Sequence, residues 1–329
     1  MKYRSLVLLS FLVVVIFQSH GQSRTSLNFD SNGEYKIVQF TDMHINQKKE
    51  DIQKTLSVVE EVVRNENPDL VVYTGDIVTE NNPEEAFGKI GNLMNKLKVN
   101  WTVVLGNHDD EHNAKRDEVA KMLITLPWCL NKVSDNITGT TNFALEVGEG
   151  KKRAILYFMD SNAYSTLKPK VEGYGWFDLS QVNWYKEQSK KFSDSNKGKP
   201  LPALAFFHIP LPEYNQVWNT EEIKKFGVKN EKVCCPDINT GMFAAMVEAG
   251  DVMGTFVGHD HVNDYIGVLF NIALAYGRCS GVENAYGDLP AGGRVIVLKE
   301  GKRKFDTWIH ETGGNVTLEC SYPDSFKNN

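Results

Sequence analysis

Apolar positions along the chain fall into short β-branched and aromatic runs, separated by stretches in which they recur every three or four residues. Residues 35–41 (Tyr-Lys-Ile-Val-Gln-Phe-Thr) read as a strand, and Ile52, Leu56, Val59 and Val63 then mark one face of a helix over about residues 48–65. Asn67-Pro68 stops that helix. Residues 69–73 form a second buried run, Pro83-Glu84-Glu85 opens a second helix with proline and acids in its first turn, and residues 101–105 give a third strand. Strand and helix alternate throughout this half, which predicts an α/β fold.

The pattern then loosens. Residues 142–147 and 153–160 read as two strands joined by Gly148-Glu149-Gly150-Lys151, and Asp178-Leu179-Ser180-Gln181 as a helix start. Residues 202–207 are a hydrophobic strand, followed by a loop stiffened by Pro210 and Pro212. Residues 213–238 have weak periodicity and predict a surface excursion. A helix over 241–248 and a strand over 252–257 follow, and the short runs 264–267, 272–276, 294–299 and 304–310 suggest an antiparallel second sheet. No repeat, low-complexity segment or linker divides the chain, so residues 22–329 are expected to form one catalytic domain.

Residues 1–21 have the pattern of a signal peptide: Lys2 and Arg4, an apolar run over 6–17, then Ser19-His20-Gly21 before Gln22. The run is short for a membrane span, which disfavours the alternative of an uncleaved anchor. Export to the periplasm or the extracellular space is therefore expected, with no stable membrane insertion after cleavage. Export would permit disulfides among Cys129, Cys234, Cys235, Cys279 and Cys320, and a structural bridge from Cys234 or Cys235 is expected over a redox role. The composition, 41% hydrophobic and 24% charged, is that of a globular protein. A formal net charge of −6 argues against nucleic-acid binding through a broad basic face; Lys151-Lys152-Arg153 and Lys302-Arg303-Lys304 read as solvated turns.

Five of the predicted strands deliver metal-competent groups at their carboxyl ends: Asp42-Met43-His44, Gly75-Asp76, Gly106-Asn107-His108-Asp109, His208, and Gly258-His259-Asp260-His261. Carboxylate, amide and imidazole together suit Fe, Mn or Zn. A bridging carboxylate can hold two cations roughly 3.5–4 Å apart, and a water between them would be acidified for in-line attack on phosphorus.

These blocks, D-x-H, G-D, G-N-H-D, a lone H and G-H-x-H, resemble those of the calcineurin-like metallophosphoesterases over residues 35–310. The loops around Phe206-Phe207-His208-Ile209-Pro210-Leu211 and after Gly258 are most similar to a branch akin to the purple acid phosphatases. The resemblance implies a four-layer α/β/β/α sandwich, two mixed sheets flanked by helices, with the metal site at the carboxyl ends of the strands. It implies that Asp42, His44 and His261 bind one cation, that Asn107, His208 and His259 bind the second, and that Asp76 bridges. His108 would be the non-ligand histidine that steadies the phosphate beside Asn107 or protonates the leaving oxygen; the alternative is that it only orients Asn107. The implied activity is metal-dependent hydrolysis of a small-molecule phosphate ester, as a phosphatase or phosphodiesterase, by a metal-bridging hydroxide.

Two departures stand out. Purple acid phosphatases carry Gly at the position of His44 and, at that of Thr79, the tyrosine whose metal-bound form gives their colour, so this chain is not expected to be purple. Protein Ser/Thr phosphatases place Asp at the Thr79 position; Thr79 is no carboxylate, which leaves His108 to Asp109 or Asp110, or freer. Arg278 follows a strand and is a candidate for bidentate phosphate contact or a surface arginine. Tyr164, Trp176 and Tyr214 are candidates for the pocket mouth or for packing. Other functions weighed are a catalytically silent metal-binding module, a nuclease-type phosphodiesterase, which the acidic charge disfavours, and a redox protein on Cys234-Cys235, which lacks C-x-x-C.

Overall fold

The computed structural model describes residues 27–45, 49–79, 82–111, 114–282 and 287–327. The first half alternates as the pattern predicts: β1 (Glu34–Phe40), α1 (Lys49–Glu66), β2 (Leu70–Thr74), α2 (Pro83–Leu97) and β3 (Asn100–Val104). Asn82 caps α2 by accepting from the Glu85 amide at 3.1 Å, and Pro83 occupies the first turn, where its missing N–H costs nothing. The three strands run parallel in one register, Phe40 beside Tyr73 and Tyr73 beside Val103. Their carboxyl ends are therefore level.

The chain continues through α3 (Arg116–Leu123), β4 (Phe143–Val147), β5 (Ala154–Phe158), α4 (Leu179–Ser195), β6 (Ala203–Phe206), α5 (Glu213–Asn219), β7 (Lys225–Phe226), α6 (Met242–Ala249) and β8 (Val252–Val257). It closes with β9 (Ile266–Leu269), β10 (Ile272–Tyr276), β11 (Gly292–Lys299), β12 (Phe305–Glu311) and β13 (Val316–Tyr322). One sheet has the order β13-β12-β11-β1-β2-β3 and the other β4-β5-β6-β8-β10-β9-β7. Both are mixed: β1 pairs antiparallel with β11 and parallel with β2, and β6 and β8 are parallel between antiparallel edges.

Three apolar layers explain why the central strands are buried on both faces. Ile37, Leu70, Val72, Leu204, Phe206, Phe256, Ile296 and Phe305 fill the space between the sheets. Val59, Val63, Phe87, Ile90 and Val119 pack α1, α2 and α3 on the outer face of the first sheet. Val182, Tyr185, Met242 and Met246 do the same for α4 and α6 on the second. The result is the α/β/β/α sandwich that the motifs implied.

Three expectations are corrected. The C-terminal runs do not make a separate antiparallel sheet: β11, β12 and β13 extend the first sheet, and β10 lies parallel to β8 in the second. Residues 213–238 are more than a surface excursion, because Tyr214, Val217 and Val233 are buried against the second sheet. Tyr214 therefore packs in the core, its hydroxyl at 2.9 Å from Thr255 Oγ1, and does not line a pocket mouth. All five cysteines are free thiols, so the bridge expected from Cys234 or Cys235 is not formed. The proposed signal peptide lies outside the described residues, and among the described residues no helix is long and apolar enough to cross a membrane.

Candidate metal centre

The site forms where β1, β2 and β3 of one sheet and β6 and β8 of the other end side by side. The turns there are unusual. Asp42, His44, Asp76 and His259 all have positive φ, at 52°, 47°, 51° and 79°, a conformation that side chains with a Cβ adopt at a cost. Gly75 (φ 86°) permits a sharp turn and close approach: a Cβ there would sit 2.5 Å from His208 Nδ1. A Cβ at Gly106 would lie 2.1 Å from Asp76 Oδ1. The glycines of the motifs thus make room for the ligand side chains.

The side chains fall into two groups, Asp42 with His44 and His261, and Asp76 with His208 and His259; within each, the ligand atoms lie within 4.8 Å of one another. In the first, His44 Nε2 and His261 Nε2 are 3.0 Å apart, and Asp42 Oδ1 is 3.9 and 3.7 Å from them. In the second, His208 Nε2 is 3.1 Å from Asp76 Oδ2, 3.2 Å from His259 Nδ1 and 3.2 Å from Asn107 Oδ1. Asn107 thereby joins the second group. His208 is oriented from behind, its Nδ1 at 2.7 Å from the Thr74 carbonyl.

Electrostatics separate the histidines. Burial pushes His44 down to about 3 and His259 well below its usual value, so both are neutral imidazoles, the form that binds metal. Burial also disfavours charge on His208, but the Asp76 carboxylate outweighs it and raises His208 to about 9. Asp76 is held well below the carboxylate range: burial opposes this, and the charge of His208 and its hydrogen bond prevail, helped by His108. The Asp76 charge thus acts on both groups.

These residues fit two cations. Ring nitrogens 3.0 and 3.2 Å apart can share at most one proton per pair, so each pair keeps a lone pair facing its neighbour. Lone pairs converging from carboxylate and imidazole, with the Asn107 amide in the second group, would be satisfied by a metal ion in each.

His108 stands at the edge, about one-third exposed, with Nε2 4.0 Å from Asp76 Oδ2. Its amide donates to Asp76 Oδ1 at 2.9 Å. Neither Asp109 nor Asp110 orients its ring: Asp109 accepts the amides of Asp76, Ile77, Val78 and Gly106, and Asp110 pairs with Arg116. Glu111 takes that place, with Oε1 2.7 Å from His108 Nδ1, off the line of a well-formed hydrogen bond. Burial lowers the His108 pKa, but Asp76 and Glu111 together raise it above its ordinary value.

Arg278 does not reach this cluster with a free edge. It is buried, with Nη1 2.9 Å from both Glu311 Oε1 and the Pro290 carbonyl and Nη2 on Asp264. It is neither a surface arginine nor available for a bidentate phosphate contact. Of the aromatic candidates, Tyr164 lies at the site, its oxygen accepting from Asn107 Nδ2 at 3.2 Å, and Trp176 lines a narrow cleft with Ile209 and Pro210. Sequence reasoning missed Glu111 and Tyr174; the latter sets its ring perpendicular to that of His259, with centroids 4.3 Å apart. Glu111 carried a weak signal, three residues after His108, and Tyr174 carried none.

Residues 35–263 match the family model described as calcineurin-like phosphoesterase, and the chain belongs to that family. It is 34% identical over 324 residues to an Arabidopsis thaliana protein named probable inactive purple acid phosphatase 29, covering 87% of this chain and 82% of that one. It is 31% identical over 265 residues to phosphatase DCR2 of Saccharomyces cerevisiae, covering 71% of this chain and 45% of the yeast protein. The solved structure of a dimetal phosphatase from Danio rerio shares the fold, with a TM-score of 0.59 at 12% identity over 89% of this chain and 99% of that one.

Proposed function

We propose that the chain is an exported phosphoric ester hydrolase with two metal ions, acting on a small-molecule phosphate ester and not on nucleic acid. The observation that carries this is the pair of buried donor groups with Asp76 acting on both. Asp42, His44 and His261 would hold one ion, and Asn107, His208 and His259 the other, with Asp76 between them; the set accommodates Fe, Mn or Zn. Bound there, the ions would supply Lewis acidity and a water acidic enough to attack phosphorus in line. His108, partly exposed and with its pKa raised by Asp76 and Glu111 against burial, donates a proton from Nε2 to the leaving oxygen. Residues 22–329 would form the catalytic domain, and residues 1–21 support export.

A catalytically silent metal-binding module is the second reading. The word "inactive" in the name of the Arabidopsis relative favours it, as does Thr79 where purple acid phosphatases carry a tyrosine ligand. Against it stands the full donor set, to which His44 adds an imidazole. Hydrolysis of a chromogenic monoester beside its bis-ester by Mn- or Fe/Zn-loaded protein, with Asp76→Asn as the blank, separates the readings. Turnover above the blank establishes the enzyme, and the preferred ester decides between phosphatase and phosphodiesterase. Metal uptake without turnover on either ester establishes the silent module.

A further inference from the structure

The segment over residues 163–175 doubles back on itself beside the second donor group. Tyr164 and Tyr174 pair as an antiparallel bridge, Gly175 donates to the Ala163 carbonyl at 3.0 Å, and Ser165 donates to the Gly173 carbonyl at 3.0 Å. The two tyrosine rings stack with centroids 6.0 Å apart. Asn162 ties the base of this strap down, its Nδ2 donating to the Trp176 carbonyl at 2.7 Å and to Gln181 Oε1 at 3.0 Å. The strap then touches the site twice: the Tyr164 hydroxyl accepts from Asn107 Nδ2 at 3.2 Å, and the Tyr174 ring meets the His259 ring at 89°. Both contacts fall on side chains of the second group.

We infer that this strap is the positioning element of the second cation site, with Tyr164 holding the plane of the Asn107 amide and Tyr174 the plane of the His259 ring. The inference rests on the two-cation reading above. Asn107 is the weakest ligand of its group, a neutral amide on a turn, and can ligate only through Oδ1. Tyr164 engages the opposite end of the amide, which leaves Oδ1 directed at His208 Nε2, 3.2 Å away. His259 has an unpartnered buried Nε2 and so has no hydrogen bond on that nitrogen to fix its ring; the perpendicular ring of Tyr174 supplies a steric stop instead. Groups behind a metal's ligands commonly change its affinity on the order of 10–100-fold. Both tyrosines are thus positioning residues for a site otherwise built by the motif loops.

The test is calorimetric titration of the metal-free full chain with Mn²⁺, beside electron paramagnetic resonance of the loaded protein. Wild type should take up two ions and show an exchange-coupled pair. Tyr164→Phe removes only the partly exposed hydroxyl, and Tyr174→Leu removes the ring. Each should weaken one binding step about 10-fold or more, leave the other unchanged, and replace the coupled signal by that of isolated Mn²⁺ at low loading. Two unaltered steps in Tyr164→Phe would overturn the inference while leaving the two-cation reading intact. A wild-type protein that takes up no Mn²⁺, Zn²⁺ or Fe²⁺ would overturn both.

Discussion

The carboxylate of Asp109 closes around the backbone of Asp76: Oδ2 accepts the amides of Asp76 (3.0 Å) and Gly106 (2.7 Å), and Oδ1 those of Ile77 (2.8 Å) and Val78 (3.0 Å). Those four bonds hold Asp76 at its positive φ and tie the loop after β2 to the loop after β3. The Asp of Gly-Asn-His-Asp therefore works on the chain that carries the Asp76 carboxylate, and not on the histidine beside it. Asp109→Asn would turn an NH2 group toward two of those donors. The expected cost is roughly 2–4 kcal/mol, two charge-assisted bonds with their donors left buried. Urea unfolding of the metal-free proteins measures it; a difference within about 0.5 kcal/mol, the usual scale of surface changes, would contradict the clamp.

His108 and Glu111 make a separable pair. Glu111 raises the His108 pKa, so Glu111→Gln lowers it. A general acid is lost as pH rises through its pKa, and the alkaline limb of kcat against pH should therefore move to lower pH in the variant. His108→Ala should abolish that limb and lower kcat roughly 10²–10⁴-fold on esters with poor leaving groups, with metal content unchanged. Full activity of His108→Ala on such an ester would remove His108 from the chemistry.

Arg278 yields the opposite kind of prediction. Its guanidinium joins Asp264 in the loop after β8 to Glu311 at the end of β12, and so braces the second sheet against the first. Arg278→Met leaves two buried carboxylates without their cation, a loss of about 3–5 kcal/mol for breaking such a pair. The expected result is a lowered Tm with KM unchanged in the protein that still folds. A raised KM with unchanged Tm would restore the substrate role that the burial of Arg278 argues against.

What the sequence made legible follows from where the information sits. Asp42, Asp76, Asn107, His208, His259 and His261 each follow a strand whose apolar run is short and clear, so strand ends alone bring them together once β1, β2 and β3 share a register. The placement of β11, β12 and β13 was not legible, because alternation fixes which face of a strand is buried and says nothing of which neighbour it pairs with. Tyr174 lay equally beyond reach: its role depends on a bridge to Tyr164 within a loop of no periodicity. Arg278 followed a strand as the clustered donor residues do, and only its burial beside Asp264 and Glu311 sets it apart.

Asp160, fully buried after β5, accepts Arg116 Nε at 3.0 Å and Nη2 at 2.6 Å, while Arg116 Nη1 also reaches the Gly106 carbonyl at 2.7 Å. Burial would raise the Asp160 pKa, but the charge and hydrogen bonds of Arg116 outweigh it, and the net shift is below the ordinary 3.8. A carboxyl depressed in the folded state binds its proton more readily when unfolded. Its stabilisation is thus fully present above the unfolded value and is lost as pH falls through the folded one. Arg116→Leu removes the main opposing charge and leaves burial against only the Thr140 and Asn162 amides, so folded Asp160 binds a proton more readily than in wild type, and the variant recovers stability relative to wild type on acidification. The deficit should be about 3–5 kcal/mol at pH 7, as for a buried pair broken on one side, and should narrow as pH falls toward the carboxylate range. Urea unfolding of both proteins across that span decides it, and a deficit that stayed constant with pH would show that Arg116 stabilises through its backbone carbonyl bonds and not through Asp160.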